Sequence, residues 1–121
     1  MGTLLAFHLA MLKNFQAFHL AKEHYQLCKQ LKLPMFLKDQ LLRASSSVAL
    51  NLAEASGKRT PKDQIRFYSI ALGSLRECEA IFEIESIRDE KVRKLCDRLG
   101  AIIFKLCRIN QTSNGTSDLK R

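Results

Sequence analysis

Apolar side chains recur every three or four residues along most of the chain, which is the spacing of one face of an α-helix. Four segments show this pattern, and short polar joints separate them. We predict helices from before Phe15 to about Lys32, from Met35 to Ser56, from Pro61 to Glu85 and from Glu90 to Ile109. No run alternates apolar and polar residues for long enough to form a strand. The predicted fold is all-α, an antiparallel up-down-up-down four-helix bundle.

Turn-forming residues mark the predicted joints. Pro34 ends the first helix, and Gly57 suits a left-handed cap at the end of the second. The third helix starts with Thr60 as N-cap, Pro61 at the first helical position and Asp63 at the third, a capping box in which Asp replaces the usual Glu or Gln. Because this joint is short, we expect the second and third helices to fold back on each other as an antiparallel hairpin.

The two ends of the chain carry weaker patterns than its middle. We expect residues 1–12 to be a frayed or variable extension of the first helix. The stretch 110–121 is polar, contains Gly115 and has no apolar periodicity, so it is predicted to be a disordered tail. Residues 1–109 are then a single domain with one core, as expected for a chain of 121 residues.

The second helix carries a polar row beside its core row. The apolar row is Leu41, Ala44, Val48, Leu52 and Ala55, and the polar row is Arg43, Ser47, Asn51 and Glu54. The polar row faces solvent, another subunit or a nucleic acid, and the residues leave these three possibilities open. Asn51 and Glu54 either hydrogen-bond across to the third helix or contact a ligand or partner. The partners available on the third helix are Arg66, Arg76 and Glu77.

The third and fourth helices each present one apolar face. That of the third helix contains Phe67, Ala71, Ser74, Cys78 and Phe82, widened by Ile65, Leu72, Leu75 and Ile81. That of the fourth contains Leu95, Leu99, Ile102, Ile103 and Leu106. Gly73 lies in the middle of the third helix, where Gly costs roughly 1 kcal/mol relative to Ala. We therefore expect a neighbouring helix to pack closely against it.

The chain is basic, with a formal net charge of +8 and a pI of about 9.6. The excess lies in the outer segments, since residues 35–85 hold equal numbers of basic and acidic side chains. Partners with negative surfaces, such as RNA, DNA or an acidic protein, are favoured by this balance.

Basic residues follow one face of the fourth helix and part of the first. The set comprises Lys91, Lys94, Arg98, Lys105 and Arg108 on the fourth helix, and Lys22, Lys29 and Lys32 on the first. Cations at helical spacing can follow a phosphate backbone without reading its sequence, and such binding weakens steeply with salt. The alternative is a solvated outer face that binds nothing, which any bundle helix needs.

Residues that could support catalysis or bind a metal lack the necessary context. Cys28, Cys78, Cys96 and Cys107 lie among apolar residues without CxxC spacing, so we expect buried thiols in a reducing cytoplasm. His24 has no acidic neighbour in sequence, and the glutamates of the third helix lack the Glu-x-x-His pairs of a di-metal site. We expect no enzymatic activity and no metal or other cofactor. No apolar run approaches the roughly 20 residues that span a bilayer, so no membrane partner is expected.

An ordered series of residues across the second and third helices resembles a known family. The series is Gln40, Arg43-Ala44, Asn51, Glu54, Gly57-Lys58, Asp63, Arg66-Phe67-Tyr68, Ile70-Ala71, Gly73-Ser74 and Glu77. It is similar to the four-helix-bundle proteins encoded in intervening sequences of bacterial 23S ribosomal RNA genes, over about Phe15 to Arg108. Ala55 departs from the pattern, because the family usually has Gly there.

This resemblance implies an all-α bundle that assembles as a homopentamer, is cytoplasmic and has no known enzymatic activity. The chain also resembles the accessory variability proteins of diversity-generating retroelements, which form pentameric barrels and bind a reverse transcriptase together with nucleic acid. The family-pattern polar positions present here are Arg43, Asn51, Glu54, Arg66, Ser74 and Glu77. The resemblance assigns them no role.

Two functional hypotheses follow from the sequence. The first is an oligomeric bundle that binds RNA or DNA through its basic faces, with the family-pattern polar set holding helices or subunits in register. The second is a protein adaptor, for example to a reverse transcriptase. A structural bundle of unknown role is a third alternative.

Overall fold

The computed structural model describes the backbone of residues 2–114 and the side chains of Leu4, Leu5, His8, Leu9 and residues 11–110. This part of the chain forms four α-helices and contains no strand. They are α1 (Gly2–Gln30), α2 (Met35–Ser56), α3 (Pro61–Ile84) and α4 (Glu90–Asn114). The prediction of an all-α chain with four helices is confirmed, and the bounds of α2 and α3 agree closely with those predicted.

The helices pack as a ring around one core. α1 packs on α2 and α4, and α3 packs on the same two helices. The predicted apolar rows of α2 and α4 are buried throughout. On α3 the buried row begins at Tyr68, while Phe67 is only partly buried. The two positions differ by about 100° around the helix, so the centre of the core face is rotated from the predicted one.

The joint between α2 and α3 confirms one predicted cap and corrects another. Thr60 Oγ1 accepts a hydrogen bond from the Asp63 N–H at 3.2 Å, as the capping box predicted. Gly57, predicted to be left-handed, has φ −89° and ψ −3°. The Gly57 N–H donates to Glu54 O and the Lys58 N–H to Ala55 O, both at 3.1 Å. Such bonds between residues three apart tighten the last turn and keep the backbone right-handed.

The left-handed cap occurs instead at the end of α3, on a residue other than Gly. Ser86 has φ 51°. Its N–H donates to Glu83 O at 3.2 Å, and the Ile87 N–H donates to Phe82 O at 2.8 Å. These two bonds form a Schellman motif, and the Ile87 side chain packs against the core as that motif favours.

The first and last helices extend further towards the chain ends than predicted. α1 begins at Gly2, so residues 2–12, which were predicted to be a frayed or variable extension, are part of the helix. This segment is rich in Leu, Ala and Met, which favour helix. The disordered tail was predicted to begin at Asn110, but Asn110 is buried and donates to Gln64 Oε1 at 2.6 Å. That bond holds the last part of α4 on α3. Residues 115–121 of the predicted tail lie outside the described residues.

Side-chain contacts show which helix ends lie together. Lys38, near the start of α2, donates from Nζ to the carbonyls of Lys29 and Leu31 at the end of α1. Arg93, near the start of α4, lies 2.5 Å from Glu83 Oε2 near the end of α3.

A buried amide joins three helices near the α2–α3 joint. Asn14 of α1 donates from Nδ2 to the carbonyl of Leu52 on α2 at 3.1 Å and to the hydroxyl of Tyr68 on α3 at 3.0 Å. Asn14 and Tyr68 are both buried. Because buried polar groups are costly without partners, this arrangement favours one register of the three helices.

We expect Asn14→Ala to lower the free energy of unfolding by about 1–3 kcal/mol, because it leaves the Tyr68 hydroxyl without its buried partner. Tyr68→Phe removes the same bond from the other side and keeps the ring. Urea unfolding of the two single variants and the double variant measures the coupling between them. Costs that simply add would contradict a direct Asn14–Tyr68 interaction.

The core also contains a histidine, His24 of α1. It is fully buried, its ring lies edge-on to Phe82 with 6.1 Å between centroids, and Cys28 Sγ lies 3.8 Å from Nε2. Burial lowers the pKa of His24 to about 4, so the imidazole is neutral in the folded protein.

This shift makes stability depend on pH between about 6.5 and 4. In that window the unfolded chain binds a proton at His24 that the folded chain does not, so the free energy of unfolding falls as the pH falls, by up to about 3 kcal/mol. We expect His24→Leu to remove this part of the pH dependence in urea unfolding series. The control is Gln26→Leu on the exposed side of α1, because it introduces the same side chain without removing a titratable group. An unaltered slope in His24→Leu would contradict the assignment.

Candidate functional site

The predicted cations of α4 form an exposed row, which we call the α4 basic stripe. It consists of Lys91, Lys94, Arg98, Lys105 and Arg108, and every member is exposed. The row lies away from Leu95, Leu99 and Leu106, which are buried in the core. Lys94 has a loose ion pair with Glu90, at 3.9 Å between Nζ and Oε1. Both partners are largely exposed, so this pair holds Lys94 only weakly.

An exposed aromatic side chain borders the stripe and was missed in the sequence analysis. Phe104 is 51% exposed, with Lys105 next to it in sequence and Arg108 one turn later on the same side of the helix. Aromatic side chains beside cations are the combination that stacks bases and neutralises phosphates in single-stranded nucleic acids. The signal in the sequence was a large apolar residue on the polar side of the helix.

Of the three cations predicted on the first helix, two lie on α1 and one lies beyond its end. Lys22 and Lys29 are exposed on α1, with Nζ 5.9 Å from the Phe18 ring centroid and 5.5 Å from the Tyr25 ring centroid, respectively. Lys32 lies past the end of α1, in the joint to α2, so it does not continue the helical row. Since α1 and α4 are neighbours, the two basic rows lie on adjacent helices.

The polar residues of α2 and α3 meet at one point. Ser47 Oγ lies 2.9 Å from Ser74 Oγ across the two helices. Asn51 donates from Nδ2 to the Ser47 carbonyl at 2.8 Å and to Ser47 Oγ at 3.0 Å. Two of the family-pattern positions, Asn51 and Ser74, therefore belong to one hydrogen-bonded chain through Ser47.

The predicted partners of Asn51 and Glu54 are wrong. Glu54 pairs with Lys58 of its own helix at 3.2 Å, and Arg76 pairs with Glu79 at 2.7 Å. Arg66 lies over the Phe67 ring at 5.9 Å. Residues three or four apart on an exposed helix face are close neighbours, which favours these local contacts over contacts across helices.

Around the Ser47–Ser74 contact lies a mixed surface, which we call the α2–α3 face. Its members are Arg43, Ser47, Leu50, Asn51 and Glu54 of α2, and Arg66, Ile70, Gly73, Ser74 and Glu77 of α3. Leu50 is 66% exposed and Ile70 is 44% exposed. Helical spacing places both beside the Ser47–Ser74 contact. The face therefore has an apolar centre with charges of both signs around it.

Gly73 leaves this face open. A Cβ atom at Gly73 would meet nothing within 4 Å, so the predicted close packing of a helix against it is wrong within the described chain. Close packing occurs at Gly100, where a Cβ would lie 3.4 Å from Leu75 Cδ2. In the described part of the chain, Arg43 and Glu77 also have no ion-pair partner within 4 Å.

The buried cysteines are poor nucleophiles. Cys28, Cys78 and Cys96 are buried, Cys107 is partly buried, and all four thiols are free. Burial raises the pKa of Cys28 and Cys96 to about 12 and raises those of Cys78 and Cys107. Although Cys28 lies beside His24, both groups are neutral there, so they do not form a thiolate–imidazolium pair.

The described residues contain neither a metal-binding cluster nor a membrane-spanning helix. Among the described residues, no group of three His, Cys, Asp or Glu side chains is placed to hold a metal ion. None of the helices, over the residues described, is long and apolar enough to cross a membrane.

Comparison with known proteins identifies the family. No curated protein and no solved structure matched the chain. The family model described as 23S rRNA-intervening sequence protein matches residues 13–108, which include α2 and α3 whole and most of α1 and α4. The chain therefore belongs to the 23S rRNA-intervening sequence protein family.

Proposed function

We propose that this protein is a non-enzymatic, oligomeric helical bundle that binds RNA or DNA through the α4 basic stripe. The observation that carries the proposal is the row of five exposed cations with the exposed Phe104 next to its last two members, Lys105 and Arg108. Cations at these positions bind phosphates regardless of base sequence, while Phe104 provides a surface for stacking. Membership of a family named for sequences that interrupt 23S rRNA supports an RNA-related role.

Lys22, Lys29 and Lys32 extend the proposed interface from α4 towards α1. Contacts that join successive helix ends support an up-down-up-down order of the helices. In that order Lys29 and Lys91 lie at the same end of the bundle. A nucleic acid on α4 then has further cations within reach on its neighbour.

We assign assembly to the α2–α3 face and propose a homopentamer, the state that the family resemblance implied. An apolar centre at Leu50 and Ile70, surrounded by Arg43 and Glu77 without ion-pair partners among the described residues, suits contact with another subunit. Gly73 permits a close approach. Repeating the basic stripe around a ring would strengthen weak phosphate contacts by avidity.

The second candidate is a protein adaptor, such as an accessory protein of a reverse transcriptase in a diversity-generating retroelement. The exposed Leu50 and Ile70 favour it, because the same α2–α3 face could contact a different protein. A partner that is recovered with the protein after nuclease treatment would favour the adaptor. Under either function we place the protein in the cytoplasm, since free buried thiols suit a reducing compartment.

We expect Arg98→Glu combined with Lys105→Glu to reduce binding to a mixed single-stranded RNA pool at least tenfold. The two substitutions replace attraction to phosphates with repulsion and should leave helicity unchanged, since both residues are exposed. The slope of log affinity against log salt should flatten by about 1.4, or about 0.7 for each lost phosphate contact. Fluorescence anisotropy over a salt series measures both quantities.

The matched control is Arg59→Glu combined with Lys62→Glu. These exposed residues lie at the α2–α3 joint and are not members of the stripe, and their substitution changes the net charge equally. If both variants weaken binding to the same extent, net charge accounts for binding and the stripe has no special role.

We expect Gly73→Ala to separate folding from assembly. Within one subunit the new methyl group meets nothing, so helix propensity should raise the free energy of unfolding by up to about 1 kcal/mol. At a subunit contact the same methyl would obstruct close approach and lower the mass measured by light scattering. Gly100→Ala, which faces Leu75 inside the bundle, should leave the mass unchanged. An unchanged mass in Gly73→Ala would contradict the assignment of the α2–α3 face to assembly.

A further inference from the structure

The first half of α1 exposes an unusually apolar surface, which we call the α1 apolar surface. Its members are Leu4, Leu5, Leu9, Met11, Leu12 and Phe15, with exposed fractions between 43% and 71%. Six large side chains exposed to this degree correspond to on the order of 600 Å² of apolar area, the upper end for the largest patch on a soluble monomer. An apolar area of this size favours contact with another molecule.

This surface lies at one end of the bundle and extends past it. Residues 2–13 precede the bonded Asn14 and span about 18 Å along the helix axis. Of the two helices bonded to Asn14, α2 ends four residues after Leu52 and α3 begins seven residues before Tyr68, lengths of only about 6 Å and 10 Å. The first turn of α1, with Leu4 and Leu5, therefore reaches beyond the α2–α3 joint.

The exposed residues follow the spacing of a helix pair. Leu5 and Leu12 are seven residues apart, and Phe15 follows Leu12 by three. In two successive heptads these are both a positions and the second d position, and His8 is at the first d position. The a and d positions form the seam between two packed helices. Their exposure shows that no helix in the described part of the same chain occupies this seam.

We propose that the α1 apolar surface binds the same surface of a second copy of this chain. Two apposed copies would cover about 1,200 Å², the lower limit of a standard protein interface. No Lys, Arg, Asp or Glu occurs from Gly2 to Leu12, so two copies meet there without repulsion between like charges. The absence of Lys and Arg in this stretch also argues against an anionic lipid surface, which interfacial helices attract with cations.

This contact is separate from the proposed assembly. The family model begins at residue 13, after most of the α1 apolar surface, whereas the α2–α3 face lies wholly inside the matched range. Pairing through α1 therefore doubles the particle that the α2–α3 face builds, by joining two single chains or by stacking two rings face to face. Neither pairing through α1 nor assembly through the α2–α3 face depends on nucleic-acid binding.

The test is Leu5→Glu combined with Leu12→Glu in the full-length chain. Both side chains are about 70% exposed, so the variant should fold, which circular dichroism checks. We expect its mass by light scattering over a dilution series to be half that of the wild type. Met35→Glu combined with Phe36→Glu is the matched control, because these residues are comparably exposed at the start of α2. The control should keep the wild-type mass.

The same variants distinguish this proposal from the assembly proposed above. Gly73→Ala reports on the α2–α3 face, and Leu5→Glu with Leu12→Glu reports on α1, so either contact can fail without the other. An unchanged mass in the α1 variant would overturn the proposal. Binding of the wild type to phosphatidylcholine–phosphatidylserine vesicles, lost in the α1 variant without any change of mass, would also overturn it and assign the surface to a lipid.

Discussion

The buried amide of Asn14 is the constraint on which the remaining geometry depends. Its two hydrogen bonds fix α1 against α2 and α3 at one level, where an apolar core alone would tolerate small slips. Ser47–Ser74 does the same between α2 and α3, and Asn110–Gln64 between α4 and α3. Each of these polar contacts loses its partner if one helix slides by a turn. The direction in which each outer face points follows from this register.

The sequence correctly predicted features that depend on a single helix, but it did not predict how the helices align with one another. The Thr60 cap and the buried row of α2 depend on spacing along one helix, and both were predicted correctly. The choice between Phe67 and Tyr68 as core residue was not, because both lie on the apolar side of α3 and the hydroxyl of Tyr68 obtains its partner from α1. Likewise, the left-handed cap was predicted at Gly57 but occurs at Ser86, where the Schellman hydrogen bonds at the end of α3 require a positive φ.

In the candidate site, too, features of a single helix could be predicted and contacts that depend on helix packing could not. Exposure of the α4 basic stripe follows from helical periodicity and could be predicted. The partners of Asn51 and Glu54 could not, since they depend on how far a side chain reaches once two helices are packed. The exposed Leu50 and Ile70 were also missed, because periodicity alone does not distinguish an apolar residue at the edge of a core from one that faces outward.

The order of the helices in the ring makes the proposed activities compatible. α2 and α3 are adjacent, so the α2–α3 face lies across the bundle from the side on which α1 and α4 meet. A subunit docked on the α2–α3 face would leave the α4 basic stripe and Phe104 uncovered. The α1 apolar surface lies at a third location, towards the end of the bundle marked by Asn14. Because these three surfaces do not overlap on one chain, occupation of the α2–α3 face would leave that chain's basic stripe open, and assembly would bring copies of the stripe together, as avidity for a long polyanion requires.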